Sequence, residues 1–175
     1  MFTDYTGYFP ISDWWDELVE NTKDWIKKEE EKASKSNNGT AFIGIGAGMA
    51  YILGISGLTG ITTDNKGNIG LMTSWFLGAS SPSASANIAI TTTNAPTIDK
   101  QAGWAYGLGA SVDMGVGLGG ELFVFEDSKT GTPYYSGSVV AGAGASIPGD
   151  VHVGVSYSKI WFQFNIYDVL YEFVS

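Results

Sequence analysis

From Ala41 onward the chain alternates bulky apolar residues with tiny ones. Ile43, Ile45, Ala47, Met49, Tyr51, Leu53 and Ile55 occupy one parity, and Gly44, Gly46, Gly48, Ala50, Ile52, Gly54 and Ser56 the other. The pattern returns with Trp104, Tyr106, Leu108, Val112, Met114, Val116 and Leu118 against Ala105, Gly107, Gly109, Ser111, Asp113, Gly115, Gly117 and Gly119. A period of two is the signature of β-strands, whose side chains point to opposite faces. Ordinary half-buried strands alternate apolar with charged residues. This chain alternates large with small, so its two sheet faces differ in bulk more than in polarity.

The alternation belongs to a rough internal duplication. Asp64-Asn65-Lys66-Gly67-Asn68 and Asp127-Ser128-Lys129-Thr130-Gly131 read as hairpin turns. Ser81-Pro82-Ser83 and Pro148-Gly149-Asp150 read as the next turns in each copy, and residues 94–103 form the longest loop, between the copies. Repeated strand–turn–strand units predict two similar β-meanders. The stretches 41–63 and 104–126 are too long for single strands and should break at their glycines. The expected fold is therefore mainly β: a six- to eight-stranded antiparallel barrel or sandwich, preceded by one helix.

Residues 1–40 differ from this body. They hold fourteen of the 27 charged side chains but only two of the 24 glycines. Ser12 suits a helix N-cap, with Asp13, Asp16 and Glu17 in the first turns and Lys27, Lys28, Lys32 and Lys35 towards the end. One helix is predicted over about residues 12–35. The organisation is then an opening segment with an amphipathic helix, 1–40, and a glycine-rich β domain, 41–175. The tail from Asn165 to Val174 fits a strand or a short helix.

Composition excludes several functions. The net charge is −9, with nine lysines and no arginine, so the basic face of a nucleic-acid binder is missing. There is no cysteine for disulfide or thiol chemistry. No metal motif is present and no cofactor is implied. Gly44, Gly46 and Gly48 lack the spacing and the following Lys-Ser/Thr of a phosphate loop. Residues 1–10 do not read as a signal peptide.

Few residues remain for chemistry. The single histidine, His152, could serve as a base beside Asp150 or a distant carboxylate. Equally it could be an ordinary strand histidine beside a turn. Asp113 lies mid-pattern on the small-residue face, with Glu121 on the same parity; both could do acid–base work or simply line a polar interior. All of these belong to the second copy.

The bulk alternation allows two arrangements. In a soluble barrel the bulky face fills the interior, and the small-residue face is covered, for example by the N-terminal helix. In a membrane barrel the bulky face meets lipid and the small face lines the lumen. Trp75, Trp104 and Trp161 would then supply interfacial aromatics. The residue pattern favours the soluble arrangement, with membrane insertion as a second state.

The opening segment Asp4-Tyr5-Thr6-Gly7-Tyr8-Phe9-Pro10 resembles the Asp-Pro-Thr-Gly-type signature that closes the core of Rhs/YD-repeat proteins, with Tyr5 in place of the usual proline. The helix Asp13-Trp14-Trp15-Asp16-Glu17-Leu18 is similar to the tryptophan-rich acidic helix that often follows it. Residues 62–70 and 93–98 resemble the glycine-rich all-β C-terminal regions of such polymorphic toxins. The resemblance implies a toxin module cut from a larger secreted protein, delivered into a target cell and neutralised by a cognate immunity protein. Met1 would then be no natural start. It places no catalytic residues.

The expected activity is action on membranes, by insertion or permeabilisation. The alternatives are a hydrolase-like toxin using His152 with Asp113, Glu121 or Asp150, and a non-catalytic β binding module.

Overall fold

A computed structural model describes residues 20–24, 27–28, 39–113, 116–127, 129–146 and 150–174. Residues 20–24 are helical and are called α1, and residues 27–28 are helical as well. The rest of the helix predicted over 12–35, and the opening motif of residues 4–10, lie outside the described residues. The body is eight strands: β1 (Thr40–Ala50), β2 (Leu53–Asp64), β3 (Asn68–Ser80), β4 (Ser83–Thr93), β5 (Gly103–Asp113), β6 (Val116–Glu126), β7 (Pro133–Ser146) and β8 (Asp150–Asn165). Both long alternating stretches break in two; the first does so at Tyr51-Ile52 rather than at its glycines, and the second between Asp113 and Val116. The tail is a helix, α2 (Ile166–Val174).

All eight strands are antiparallel to their neighbours and close into one barrel, in the order β1-β2-β3-β8-β5-β6-β7-β4. Each copy starts as the predicted meander, β1-β2-β3 and β5-β6-β7. Its fourth strand then returns to the first, β4 to β1 and β8 to β5. Each copy is thus a Greek key. Advancing every strand by four reproduces the same ring, so a pseudo-twofold axis relates the copies. Closure leaves no unpaired strand edge.

The four odd-numbered strands start at one end, called here the base. The base carries the turns at Asn65–Gly67 and 129–132, the loop 94–102, and both helices. Asp64 closes the first turn by accepting from the backbone N–H of Lys66 and Asn68, at 2.9 and 3.1 Å. Asp127 does the same for Lys129, at 2.9 Å. Gly67 and Gly131 take the positive φ values of 83° and 67° that such turns require. The loop between the copies folds over the base. Its Ile98 is fully buried, and its Gln101 bonds Thr62 at 2.6 Å and also Thr40.

At the other end, the tip, the β3–β4 link has only Ser81 and Pro82. It joins strands that are not neighbours in the ring. Three residue steps reach about 11 Å at most, so the link must run across the barrel mouth. It hydrogen-bonds the start of β8, through Ser80 Oγ to Asp150 Oδ1 and Val151 N–H to Ser81 Oγ, both at 3.4 Å. The hairpins β1–β2 and β5–β6 stand on opposite sides of this crossing.

The bulky face points outward. This corrects the arrangement in which bulk fills the interior. Seven hydrophobic residues are buried, while thirty-one large ones are exposed among the described residues. The reason is volume. An eight-stranded barrel has an interior that side chains just fill, and the inward parity already holds aromatics lying on glycines. Phe42 folds over Gly44, Phe76 over Gly78, and Phe123 over Gly107, each ring occupying the space of the missing Cβ. A second full set of Ile, Leu, Val and Trp has no room inside. The packed core, Ala95, Ala105 and Phe125 with Phe123 and Tyr134, sits in the base half. The tip half holds a cavity of about 110 Å³ lined mainly by glycine and serine, with Asn87, Glu121, Asp150, His152 and Phe76 the larger polar and aromatic groups on it.

Candidate functional site

Two features stand out: an ion pair inside the lumen and the apolar wall outside. The lumen pair follows from strand register. Gly109 on β5 is paired with Glu121 on β6 and with His152 on β8. All three point inward, and the middle one has no side chain. The outer two therefore reach each other across two strand spacings. His152 Nε2 lies 3.2 Å from Glu121 Oε1, with both side chains less than a fifth exposed. A Cβ on Gly109 would clash with the Nε2–Cε1 edge of the His152 ring and lie against Glu121 Cγ.

The Phe76 ring packs edge-on against the imidazole, with centroids 5.4 Å apart at 75°. Phe76 and Glu121 line both the tip cavity and a second cavity of about 80 Å³ towards the base, so they stand at the lumen's waist. The hydrogen bond to Glu121 raises the pKa of His152 above its ordinary value of 6.5. Burial opposes this, and the charges of Glu121 and Asp150 add to it. Asp150 itself is buried at the head of β8.

Structure thus joins two of the four acid–base candidates, His152 and Glu121, while Asp150 bonds Ser80 instead. Asp113 is not joined to them. It ends β5 opposite Gly117, four residues along the strand from Gly109, and its side chain lies outside the described residues. Sequence reasoning missed Phe76 and Gly109. The duplication contained a signal for Gly109: its counterpart Gly46 pairs with Leu58 on β2 and Asn87 on β4. The same lumen position therefore holds Leu–Gly–Asn in one copy and Glu–Gly–His in the other. The polarity difference between the copies is concentrated at this row.

Trp75, Trp104 and Trp161 all stand on the outer wall, 40 %, 65 % and 53 % exposed. Tyr157 bridges two of them, its ring centroid 6.3 Å from Trp75 and 5.1 Å from Trp104. The Trp161 indole donates to Thr73 Oγ1 at 2.9 Å and carries the Lys159 ammonium 4.1 Å from its ring centroid. Lys159 and Glu126 are the charged residues among the described outward strand positions. Both lie in the base half. Elsewhere the wall is Ile, Leu, Val, Met, Ala, Gly and Thr around the whole circumference, with Tyr106, Tyr135, Phe162 and Phe164 among them. Monomeric proteins in water rarely expose contiguous apolar patches beyond a few hundred Å².

Among the described residues, no group of three His, Cys, Asp or Glu is placed to hold a metal ion, and no helix is long and apolar enough to cross a membrane. No family model and no curated protein matches the chain. A solved structure, the virulence-associated protein VapB from the intracellular pathogen Rhodococcus equi, is similar to it with a TM-score of 0.36. The two are 14 % identical, over 71 % of this chain and 100 % of that one. At that level the likeness carries no inference about function.

Proposed function

We propose that this barrel acts on lipid membranes, entering them through its apolar outer wall. What supports the reading is the wall's continuity. Exposed Ile, Leu, Val, Met, Tyr or Trp occurs on all eight strands. A protein partner covers one side of a cylinder, whereas a lipid phase can cover it all round. Outward bulk over a small, weakly polar interior is the pattern of membrane barrels. In the context of the Rhs-type resemblance, the chain is the C-terminal toxin module of a larger secreted protein. It is delivered into a target cell and met there by a cognate immunity protein. Dye release from lipid vesicles and membrane potential in expressing cells test this: leakage and depolarisation are expected, and intact vesicles with normal potential would overturn it.

A second reading is favoured by the contact between His152 and Glu121: a hydrolase-like toxin with the histidine as base. The pseudo-symmetry supplies its test. The double variant Glu121→Leu/His152→Asn copies the row that the first half already accommodates around Gly46. Retained toxicity in that variant rules out catalysis by the pair. Lost toxicity with intact folding supports it.

A further inference from the structure

We infer that the barrel meets the bilayer by its tip, the two apolar hairpins entering the hydrocarbon of a zwitterionic leaflet while the base stays in water. This rests on the membrane reading above and adds an orientation and a lipid class to it. The two ends of the barrel are built differently. At the base, the hairpin turns use Asn, Lys, Thr and Gly, as turns facing water do. At the tip, the β1–β2 turn is Tyr51-Ile52, followed by Leu53, at 75 %, 71 % and 72 % exposure. The opposite hairpin presents Val112 and Val116, at 64 % and 81 %. Neither the hairpin geometry nor the core requires apolar residues there.

Charge is segregated in the same direction. Lys66, Asp99, Lys100, Glu126 and Lys129 cluster at the base beside the buried Asp64 and Asp127, whereas the strand ends at the tip carry Asp113 and the buried Asp150. Between the ends, Trp75, Trp104, Tyr106, Tyr135, Tyr157 and Trp161 stand five to eleven residues down their strands from the tip. Down the wall from the tip, mainly aliphatic residues give way to a band that adds these aromatics, with Lys159 and Glu126 at the same depth, and the remaining charge lies beyond it in the base turns and loop. Hydrocarbon, headgroup region and water succeed one another in that order. Both helices are at the base, where Lys23 of α1 lies 6.0 Å from the Tyr171 ring centroid of α2. Among the described residues, neither helix reaches the tip.

The lipid class follows from electrostatics. The chain carries a net charge of −9 and no arginine, and no lysine stands at the tip among the described residues. A cluster of basic residues is what draws a protein to anionic lipid. This tip lacks one, and the molecule as a whole is repelled by a negative surface. Entry is therefore expected into phosphatidylcholine, and phosphatidylglycerol should oppose it.

The absence of cysteine makes a direct test simple. Ile52→Cys and Lys66→Cys are each labelled with an environment-sensitive dye and mixed with phosphatidylcholine vesicles, with and without phosphatidylglycerol. A blue shift is expected at position 52 and none at position 66, with a smaller shift when anionic lipid is present. The unlabelled double variant Ile52→Asp/Val116→Asp should keep the wild-type circular dichroism, since both sites are exposed. It should partition about tenfold or more less strongly, a factor that corresponds to about 1.4 kcal/mol. Equal shifts at both positions, wild-type partitioning of the double variant, or stronger binding to anionic vesicles would each overturn the tip orientation or its lipid preference. If the wild-type protein binds neither vesicle, the membrane reading itself fails. If it binds and the tip variants bind equally, only the orientation fails.

Discussion

Gly109 has no side chain, and for that reason a glutamate and a histidine two strands apart share a contact inside the barrel. A methyl group there would push into the imidazole. Gly109→Ala is expected to cost about 1–3 kcal/mol, the range for overpacking a filled site, measured by urea unfolding. The same pair gives stability a pH dependence. Its hydrogen bond raises the folded-state pKa of His152, so the folded barrel holds this proton more tightly than the unfolded chain does. The resulting stabilisation is complete below the unfolded value of about 6.5 and is lost as pH rises through the higher folded value. The urea midpoint of the wild type should therefore fall between pH 6 and pH 8.5. In His152→Asn that part of the fall should vanish; an unchanged slope would show that the pair contributes nothing. His152 and Glu121 were legible as candidates because polar residues are rare in this body. Their meeting was not, because it depends on which strands flank β5. Asp113 looked equivalent by parity, yet register places it at the strand end.

At the scale of elements, the base turns show how one sequence device is used twice. Asp64 and Asp127 both accept backbone N–H groups two residues on, and a glycine with positive φ follows in each turn. The surroundings differ. Gly67 lies beneath the Tyr167 ring of α2, while Gly131 faces only the end of Glu126. Gly131→Ala is expected to cost about 1–2 kcal/mol for the left-handed backbone alone. Gly67→Ala should cost more, because α2 must also move; equal losses in thermal or urea unfolding would contradict this. The second turn is also tied to the loop between the copies by Lys100 Nζ to Asp127 Oδ2 at 2.6 Å. That bond, helped by the Lys129 backbone N–H, lowers the Asp127 pKa to about 2. Its contribution is present above the unfolded value of about 3.9 and is lost as pH falls through about 2. Asp127→Asn should therefore be less stable than wild type at pH 6 and lose less stability between pH 4 and pH 2. These turns were readable because turn chemistry is local. The fate of the tail was not, since helix and strand patterns coincide over ten residues.

On the scale of the whole molecule, the apolar wall sets the behaviour to be measured. Micelles of a non-ionic detergent bind the folded barrel's wall and should raise its urea midpoint, as any ligand of the native state does. The tip variant Ile52→Asp/Val116→Asp should gain less from the detergent than the wild type. The sequence by itself determined that the chain is built of antiparallel strands, that it is duplicated, where it turns, and that its two sheet faces differ in bulk. All of that follows from period-two alternation and from local turn residues such as Asp64 and Gly67. Only the tertiary structure decided that the barrel closes, that β4 and β8 return to the first strand of their copies, and that the bulk faces out. Parity sorts side chains into two sets without saying which set lies inside. That choice belongs to the lumen of an eight-stranded ring, which has room for rings lying on glycines and for one glutamate–histidine pair, and for little more.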